Sequence, residues 1–378
     1  MTTKVKNGAL QSHRDNARLL VEAVATAHTA STIYRSSYGS ALSRVLWSIR
    51  TGRFEPSEAL VNGVLNPELS DAEARQFVSK RELISVQERA NPRHWYYATE
   101  DKGLFYRFCE EAKIRVPAVY ALIFKGKQGW SVDGSPVKSV DEIGAFLERS
   151  VPPQIIIKPS RGAHGRSVWA ITRQADGSFA GSGGKSWKTG REVASAVLAD
   201  TFFDAFVVQQ RVTSHPGLRA LTGSEALQSS RLVTYVNSAG EVKFIAASIR
   251  LISGAAIIDN IDWGKTGNFA LQLFPETGKP MDAMTFVHDG RVMHWIKPEL
   301  HPKLGDKIRN FEVPEWDKVL ELVSRAARAF LPLRTLGWDV AITPDGPMIV
   351  EANYRWDPMM HPCMRSAVDT IKRDFDPA

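Results

Sequence analysis

Residues 337–353 read Gly-Trp-Asp-Val-Ala-Ile-Thr-Pro-Asp-Gly-Pro-Met-Ile-Val-Glu-Ala-Asn, and they are the most informative segment of the chain. Pro344 presets φ for the first central position of a turn, and Gly346 accepts a left-handed conformation. A type I turn followed by a left-handed glycine predicts a β-hairpin with a three-residue loop and a bulge. In that register Thr343 faces Pro347, a position that needs no backbone donor.

The same register brings acidic side chains together on one face of the hairpin. Counting back from the turn places Asp339 opposite Glu351, and strand alternation adds Asn353 to that face. Carboxylates directly opposed at about 4.5–5.5 Å repel one another, and a divalent cation would relieve the repulsion. Two carboxylates, an amide oxygen and phosphate oxygens suit Mg²⁺. On the hairpin alone, an ordinary solvated hairpin with exposed acidic residues explains the pattern equally well.

A second motif lies at residues 154–172. The β-branched run before Lys158 predicts a short buried strand, and the loop that follows contains Gly162 and Gly165. Glycines let successive N–H groups approach an anion closely, and Lys158 supplies a point charge for phosphate. Further donors follow in the loop: Ser160, Arg161 and Arg166. The alternative is a tight hairpin with a glycine turn and a surface lysine. The pattern is not a Walker loop, because no Gly-Lys-Ser/Thr opens a helix.

The third motif is the short apolar strand 205–212, Ala-Phe-Val-Val-Gln-Gln-Arg-Val, which turns polar at its end. A flat base such as adenine could lie against this edge and bond to its backbone groups. Many edge strands have this composition, so this segment indicates a nucleotide site only in combination with the hairpin and the glycine-containing loop.

Together the three motifs resemble the ATP-grasp family, with the spacing of the D-alanine–D-alanine ligase type. The matching residues are Lys158-Pro159 with its glycine loop, the strand at 207–212, and the Asp339, Glu351 and Asn353 set. The resemblance implies an α/β (α+β) ATP-grasp fold, in which two α+β lobes hold ATP between them, and adds an N-terminal helical domain. It also implies ATP and Mg²⁺ (or Mn²⁺) as cofactors. An earlier family lysine matches Lys102, the expected second phosphate lysine.

Within that superfamily the chain is most similar to the sugar-transfer-associated ATP-grasp group. The segments that carry this similarity are 209–212, 215–216, 231–234, 259–260 and 277–278. Two departures stand out. Gln209 and Gln210 replace a hinge glutamate that helps to bind adenine or ribose, and the segment 263–265 interrupts a Gly-Gly pair.

The resemblance implies a carboxylate–amine ligase. ATP would phosphorylate a small-molecule carboxylate, possibly on a saccharide or an amino acid, and an amine would attack the acyl phosphate to form an amide. The implied nucleotide-binding residues are Lys102, Lys158, Ser160, Gly162, Gly165, Gln209, Gln210 and Val212. Arg231 and Arg250 are candidate donors to the developing oxyanion, and Arg355 is a candidate for the substrate carboxylate or the γ-phosphate. For each arginine, the alternative is a surface ion pair.

Two other functions remain open at this point. A kinase on the same scaffold would transfer phosphate without ligation, and a regulatory subunit would bind nucleotide without turnover. The basic residues behind the net charge of +7 are dispersed, which favours a cleft for ATP and an anionic substrate over nucleic-acid binding. No apolar run approaches the ~20 residues of a transmembrane helix. Cys109 and Cys363 form no disulfide framework, so we expect a cytoplasmic protein, and homo-oligomerisation stays open.

The chain is expected to divide into four segments. Residues 1–99 form the N-terminal helical domain, in which the capping-box pattern Ser70-Asp71-Ala72-Glu73 predicts a helix that runs through Lys80 or beyond. Residues 100–150 form a small α/β segment ahead of the ATP-grasp core. Residues 151–212 form the small lobe, and 213–378 the large lobe with the metal site. The glycine-containing segment 262–268 is a candidate loop over the site.

Overall fold

The computed structural model describes residues 2–162, 166–252, 268–288, 293–296, 307–308, 311–357 and 364–375. Three features anticipated from the sequence lie outside these ranges: Gly165, the pair 259–260, and all but the last residue of the segment 262–268. The described chain forms two compact units. One comprises Met1–Ala90, Phe286–Ile296 and Asp357–Ala378, and the other comprises Asn91–Thr285 and Lys297–Trp356.

Helices dominate the first 111 residues and then alternate with strands. The described α-helices are α1 (Thr2–Ile33), α2 (Tyr38–Gly52), α3 (Pro56–Val61), α4 (Asp71–Ala74), α5 (Lys80–Ala90), α6 (Tyr97–Glu100), α7 (Lys102–Glu111), α8 (Val140–Arg149), α9 (Gly190–Leu198), α10 (Pro216–Thr222), α11 (Trp316–Ala329) and α12 (Met364–Phe375). Among these described helices, none combines the length and the apolar character needed to cross a bilayer.

For helix α4, the capping box predicts the first residue correctly, but the predicted last residue is wrong. Ser70 caps it as the sequence predicts, and the Ser70 backbone N–H donates to Glu73 Oε2 at 2.8 Å. The helix was expected to continue through Lys80, but it stops at Ala74. The chain turns there because Phe77 packs against the apolar core of the first unit, and α5 begins separately at Lys80.

Strands supply the rest of the framework. They are β1 (Val119–Phe124), β2 (Lys127–Ser131), β3 (Gln154–Pro159), β4 (Trp169–Arg173), β5 (Phe179–Gly181), β6 (Lys185–Trp187), β7 (Ala205–Gln210), β8 (Ser229–Val236), β9 (Val242–Leu251), β10 (Phe269–Leu273), β11 (Pro280–His288), β12 (Met293–Ile296), β13 (Thr335–Thr343) and β14 (Gly346–Asn353). One sheet runs β2-β1-β7-β3-β4-β5-β6. Within the second unit the other sheet runs β11-β10-β9-β8-β13-β14.

Each sheet buries one face under helices and leaves the other for polar residues. In the first sheet, Ile155 and Ile157 join a core with residues of α8 and α9, so alternation turns Lys158 to the opposite face. In the second sheet, Trp338 packs with residues of α11, so Asp339 also points away from the helix layer. The α+β architecture with a helical N-terminal region, expected from the sequence, is confirmed.

Candidate functional site

The turn between β13 and β14 is one residue tighter than the sequence predicts. Thr343 pairs with Gly346, and Pro347 pairs with Ile342. The expected pairing of Thr343 with Pro347 is therefore wrong. Gly346 has a φ of 105°, as a left-handed glycine requires, and the Thr343 hydroxyl donates to the Gly346 carbonyl at 2.7 Å. This side-chain bond closes the loop across the two strand ends.

A bulge further along the hairpin shifts the strand register, so that Asp339 lies opposite Glu351. Val340 pairs with Ile349, whereas the preceding residue Asp339 pairs with Glu351. Val350 is therefore the extra residue on β14, opposite no partner on β13. The predicted pairing of Asp339 with Glu351 is confirmed, although the hairpin reaches it by a different route.

Asp339 is nearly buried and lies between two arginines. Arg231 on β8 lies directly opposite Asp339 in the sheet and contacts both of its carboxylate oxygens. Its Nη2 atom is 2.9 Å from Oδ2. Arg250 on β9 places its Nη2 at 3.0 Å from the same oxygen. Burial alone would raise the pKa of Asp339, but the two guanidinium groups outweigh it and lower that pKa to about 2. Asp339 is thus ionised, and the guanidinium groups of Arg231 and Arg250 stabilise its negative charge.

The two lysines named in the sequence lie near the second carboxylate. Lys102 Nζ lies 3.4 Å from Glu351 Oε1 and donates to the Gly162 carbonyl at 3.2 Å. Lys158 is buried and donates to the Tyr106 hydroxyl at 2.8 Å. Burial, together with the charge of Lys102, lowers the pKa of Lys158 to about 7.

A network of hydrogen bonds fixes the start of α7 against the end of β3. Asp101 caps the helix by accepting from the Leu104 backbone at 3.1 Å. The Ser160 hydroxyl donates to Asp101 Oδ1 at 2.8 Å, and the Ser160 carbonyl accepts from the Lys102 backbone at 2.8 Å. Ser160, expected to contact phosphate, therefore uses its hydroxyl proton to lock these two segments, and this lock sets the position of Lys102.

The three hinge residues have different surroundings. Gln209 is buried, and its side-chain oxygen has no hydrogen-bond partner in the part of the chain that the structure describes. Gln210 accepts from the Ala118 backbone at 3.3 Å. Val212 belongs to a small apolar cluster with residues of β13 and β14. An unsatisfied buried acceptor is costly, so Gln209 is the hinge residue best suited to a base carrying an amino donor.

A cavity of about 310 Å³ opens beside the carboxylates. It is lined by Thr99, Glu100, Arg161, Gly162, Glu351, Ala352, Asn353, Tyr354 and Arg355. Arg161 forms an ion pair with Glu100 at 2.9 Å, and Arg355 lies over the Tyr354 ring at 5.7 Å from its centroid. The structure thus places Asn353 and Arg355 in one pocket with Glu351.

Sequence reasoning missed Tyr106, which lies next to Lys158. It sits four residues after Lys102, on the same face of α7. Its hydroxyl donates to the Val350 carbonyl at 2.7 Å, so it joins Lys158 to the bulge of the hairpin. The spacing from Lys102 is the signal that could have revealed it.

The donor chemistry of the cleft fits a nucleotide and its metal. Four basic side chains face two carboxylates: Arg231, Arg250, Lys102 and Lys158 against Asp339 and Glu351. This surplus of positive charge suits a polyphosphate. The described residues contain no cluster of three or more His, Cys, Asp or Glu that could hold a metal alone. Mg²⁺ is usually held by one or two carboxylates together with substrate phosphates, which agrees with the facing pair.

Comparison with known proteins supports the resemblance drawn from the sequence. The family model described as sugar-transfer associated ATP-grasp matches residues 82–367. No curated protein matches the chain.

Solved structures of two ligases and a synthetase are similar to this chain only at low sequence identity. D-Alanine-D-alanine ligase from Helicobacter pylori is 8% identical, with 73% of this chain and 58% of that chain covered and a TM-score of 0.39. Phosphoribosylamine–glycine ligase from Thermotoga maritima is 11% identical, with coverages of 77% and 59% and a TM-score of 0.40. The ADP complex of N5-carboxyaminoimidazole ribonucleotide synthetase is 14% identical, with coverages of 75% and 53% and a TM-score of 0.37. The chain spans less than two thirds of these proteins.

Proposed function

Because the chain belongs to the sugar-transfer associated ATP-grasp family, we propose that it is an ATP-dependent carboxylate–amine ligase. The observation that carries the proposal is the charge surplus of the cleft, where four basic side chains face two carboxylates. Its reaction would join a small-molecule acid to an amine through an acyl phosphate, releasing ADP and phosphate.

Lys102 and Lys158 bind and neutralise the phosphate chain in this proposal. Both ammonium groups lie at the polar face near Glu351, where a triphosphate would otherwise meet acidic side chains. Gln209 accepts a hydrogen bond from the base, because its buried oxygen lacks another donor among the described residues. Mg²⁺ (or Mn²⁺), when held by Asp339, Glu351 and Asn353, supplies charge that screens the phosphate oxygens.

Arg231 and Arg250 share one role, and Arg231 has a second. They keep Asp339 ionised, as its low pKa shows. A guanidinium carries five N–H donors, and Arg231 directs Nε and Nη2 at Asp339. We assign its remaining Nη1 group to the oxyanion that develops at the substrate carbon, where a preorganised donor lowers the barrier.

The cavity beside Asn353 is the place proposed for the acid. Arg161 and Arg355 both line it, together with Glu351. A substrate carboxylate bound there would lie next to Glu351, close to the proposed position of the nucleotide. The substrate carboxylate and the γ-phosphate would then share one pocket. The description of the family makes an acid or an amine carried on a saccharide the first substrate class to try.

Product analysis tests the proposal. The purified chain is incubated with ATP, Mg²⁺ and pools of acids and amines, and ADP and amide are measured together. We expect ADP release that requires both an acid and an amine, and we expect Lys158→Met to abolish it while Lys372→Met does not. Phosphate release without an amine and without amide would contradict a ligase. A stable phosphorylated product would instead identify a kinase, and binding without turnover a regulatory subunit.

A further inference from the structure

Tyr106 is buried beside Lys158 but belongs to none of the groups assigned above. Its side chain is fully buried, and its hydroxyl lies within hydrogen-bond reach of Val350, Lys158 and the Gln209 side chain. It donates to the Val350 carbonyl at 2.7 Å and accepts from Lys158 Nζ at 2.8 Å. The Lys158 ammonium also lies 5.3 Å from the centroid of the Tyr106 ring.

The direction of these two bonds follows from the number of protons. A phenol hydroxyl carries one proton, and a carbonyl can only accept. The proton of Tyr106 is therefore committed to Val350, and the hydroxyl oxygen can serve Lys158 only as an acceptor. A donor that is itself charged makes the stronger kind of hydrogen bond, and the bond to Val350 polarises the hydroxyl further.

The other end of this chain of bonds is anchored by the hairpin bulge. Val350 is the extra residue of β14, and it directly precedes Glu351. Its carbonyl holds the tyrosine hydroxyl at a fixed place beside the facing carboxylates. Packing alone does not require this hydroxyl, because a phenylalanine would fill the same volume.

We propose that Tyr106 is a positioning residue that holds the Lys158 ammonium in place for the phosphate chain, with the bulge at Val350 as its anchor. This inference rests on the proposed nucleotide-binding function. A lysine side chain loses much rotational freedom when it is fixed, and a hydroxyl that fixes it beforehand removes that cost from nucleotide binding. Lys158 on β3 and Tyr106 on α7 then act as one unit.

A double-mutant cycle tests the proposal by titration calorimetry with a non-hydrolysable ATP analogue and Mg²⁺. The variants are Tyr106→Phe, Lys158→Met and the double substitution. Tyr235→Phe is the matched control, because Tyr235 is also fully buried and its hydroxyl accepts from Arg334 Nη2 at 2.9 Å. Tyr106→Phe should weaken binding about tenfold, the range of a hydrogen bond to a charged group. In the Lys158→Met background, the same change should weaken binding less than about twofold.

Each result decides a different question. If the unmodified chain does not bind the nucleotide, the proposed function fails. If it binds and Lys158→Met weakens binding, but Tyr106→Phe behaves like Tyr235→Phe, the function stands and the positioning role is overturned. An equal loss from Tyr106→Phe in both backgrounds also overturns it, because a merely structural effect does not depend on Lys158.

A second measurement needs no substitution at Tyr106. In the unmodified chain labelled with ¹⁵N-lysine, a hydrogen-bonded ammonium should give a resonance protected from exchange, and that resonance should vanish in Lys158→Met. If no protected resonance depends on Lys158, the ammonium is not held and the proposal fails.

Discussion

Each of the two units contains a carboxylate held by two basic side chains, and the two clusters differ in charge balance. In the first unit, Glu82 on α5 binds Arg365 and Lys372 on α12, with both Arg365 Nη atoms at 2.8–2.9 Å from its oxygens. Asp369 lies 3.5 Å from Arg365. Burial would raise the pKa of Glu82, but its two basic partners outweigh burial and lower it. Two acidic groups thus meet two basic groups.

The cluster in the second unit is not balanced. Asp339 also holds two basic partners, but two more basic side chains, Lys102 and the buried Lys158, face the single further carboxylate of Glu351. The low pKa of Lys158 is one consequence, because burial and a neighbouring cation both oppose its charge. A cluster with equal numbers of acidic and basic groups needs no further charged partner, whereas a surplus of basic side chains is suited to an anionic ligand.

The largest expected effect is at Asp339. Asp339→Asn removes a proposed metal ligand and leaves Arg231 and Arg250 without their anionic partner, so turnover should fall roughly a hundred- to a thousandfold, as for loss of one charged group in a preorganised site. The free energy of unfolding should fall by about 3–5 kcal/mol, because a buried ion pair is broken from one side. Steady-state kinetics and urea denaturation measure the two quantities. Unchanged turnover would remove Asp339 from the site.

Lysine substitutions in the two clusters should have opposite effects on stability. Lys158→Met should weaken nucleotide binding by about 1.5–3 kcal/mol, the range of a hydrogen bond to a charged group, and should not destabilise the free protein, since it removes a buried surplus charge. Lys372→Met should leave nucleotide binding unchanged and lower stability slightly. Calorimetric titration and thermal unfolding of both variants check this contrast. Equal changes in affinity and stability in the two variants would contradict this prediction.

The pKa of Lys158 predicts opposite pH trends for binding and stability. Nucleotide binding needs the ammonium, so above pH 7 affinity should fall by up to about tenfold per pH unit through this group. Between pH 7 and the unfolded lysine value near 10.4, the unfolded chain binds more protons, so this group makes stability rise with pH. Affinity and thermal unfolding are measured from pH 6 to 9. A flat affinity profile would show that Lys158 does not contact the nucleotide.

The smallest functional effect is expected at Glu82. Glu82→Gln weakens the bonds between α5 and α12 and should cost about 1–3 kcal/mol of stability, because its partners are partly exposed. Nucleotide affinity per folded molecule should stay within the error of the unmodified chain. Loss of affinity in the folded variant would mean that the first cluster also serves the site.

The sequence predicted those parts of the site that depend on local rules. Counting from the turn near Gly346 placed Asp339 opposite Glu351, and the count is right because the tighter turn and the bulge at Val350 compensate each other. The resemblance to a family identified Lys102 and Lys158. The bulge at Val350 was missed, because no residue type marks it and its carbonyl is satisfied by a side chain from α7. The pairing of Asp339 with two arginines was also missed, because it joins three strands that are remote in the chain.

Helix α4 illustrates the same limit outside the site. Its capping box is local and was found, whereas its end depends on where Phe77 packs. Expectations for Gly165 and for residues 259–260 lie beyond the described residues. The role of each nucleotide-binding residue therefore stays a prediction until binding is measured.

Proton uptake on nucleotide binding tests the charge surplus most directly. The Mg²⁺ complex of a non-hydrolysable ATP analogue is titrated into the chain at pH 8, in two buffers of different ionisation enthalpy. With the pKa of Lys158 at about 7, we predict one nucleotide per chain and uptake of close to one proton, which disappears in Lys158→Met. Binding without proton uptake, or no binding at all, would contradict the account.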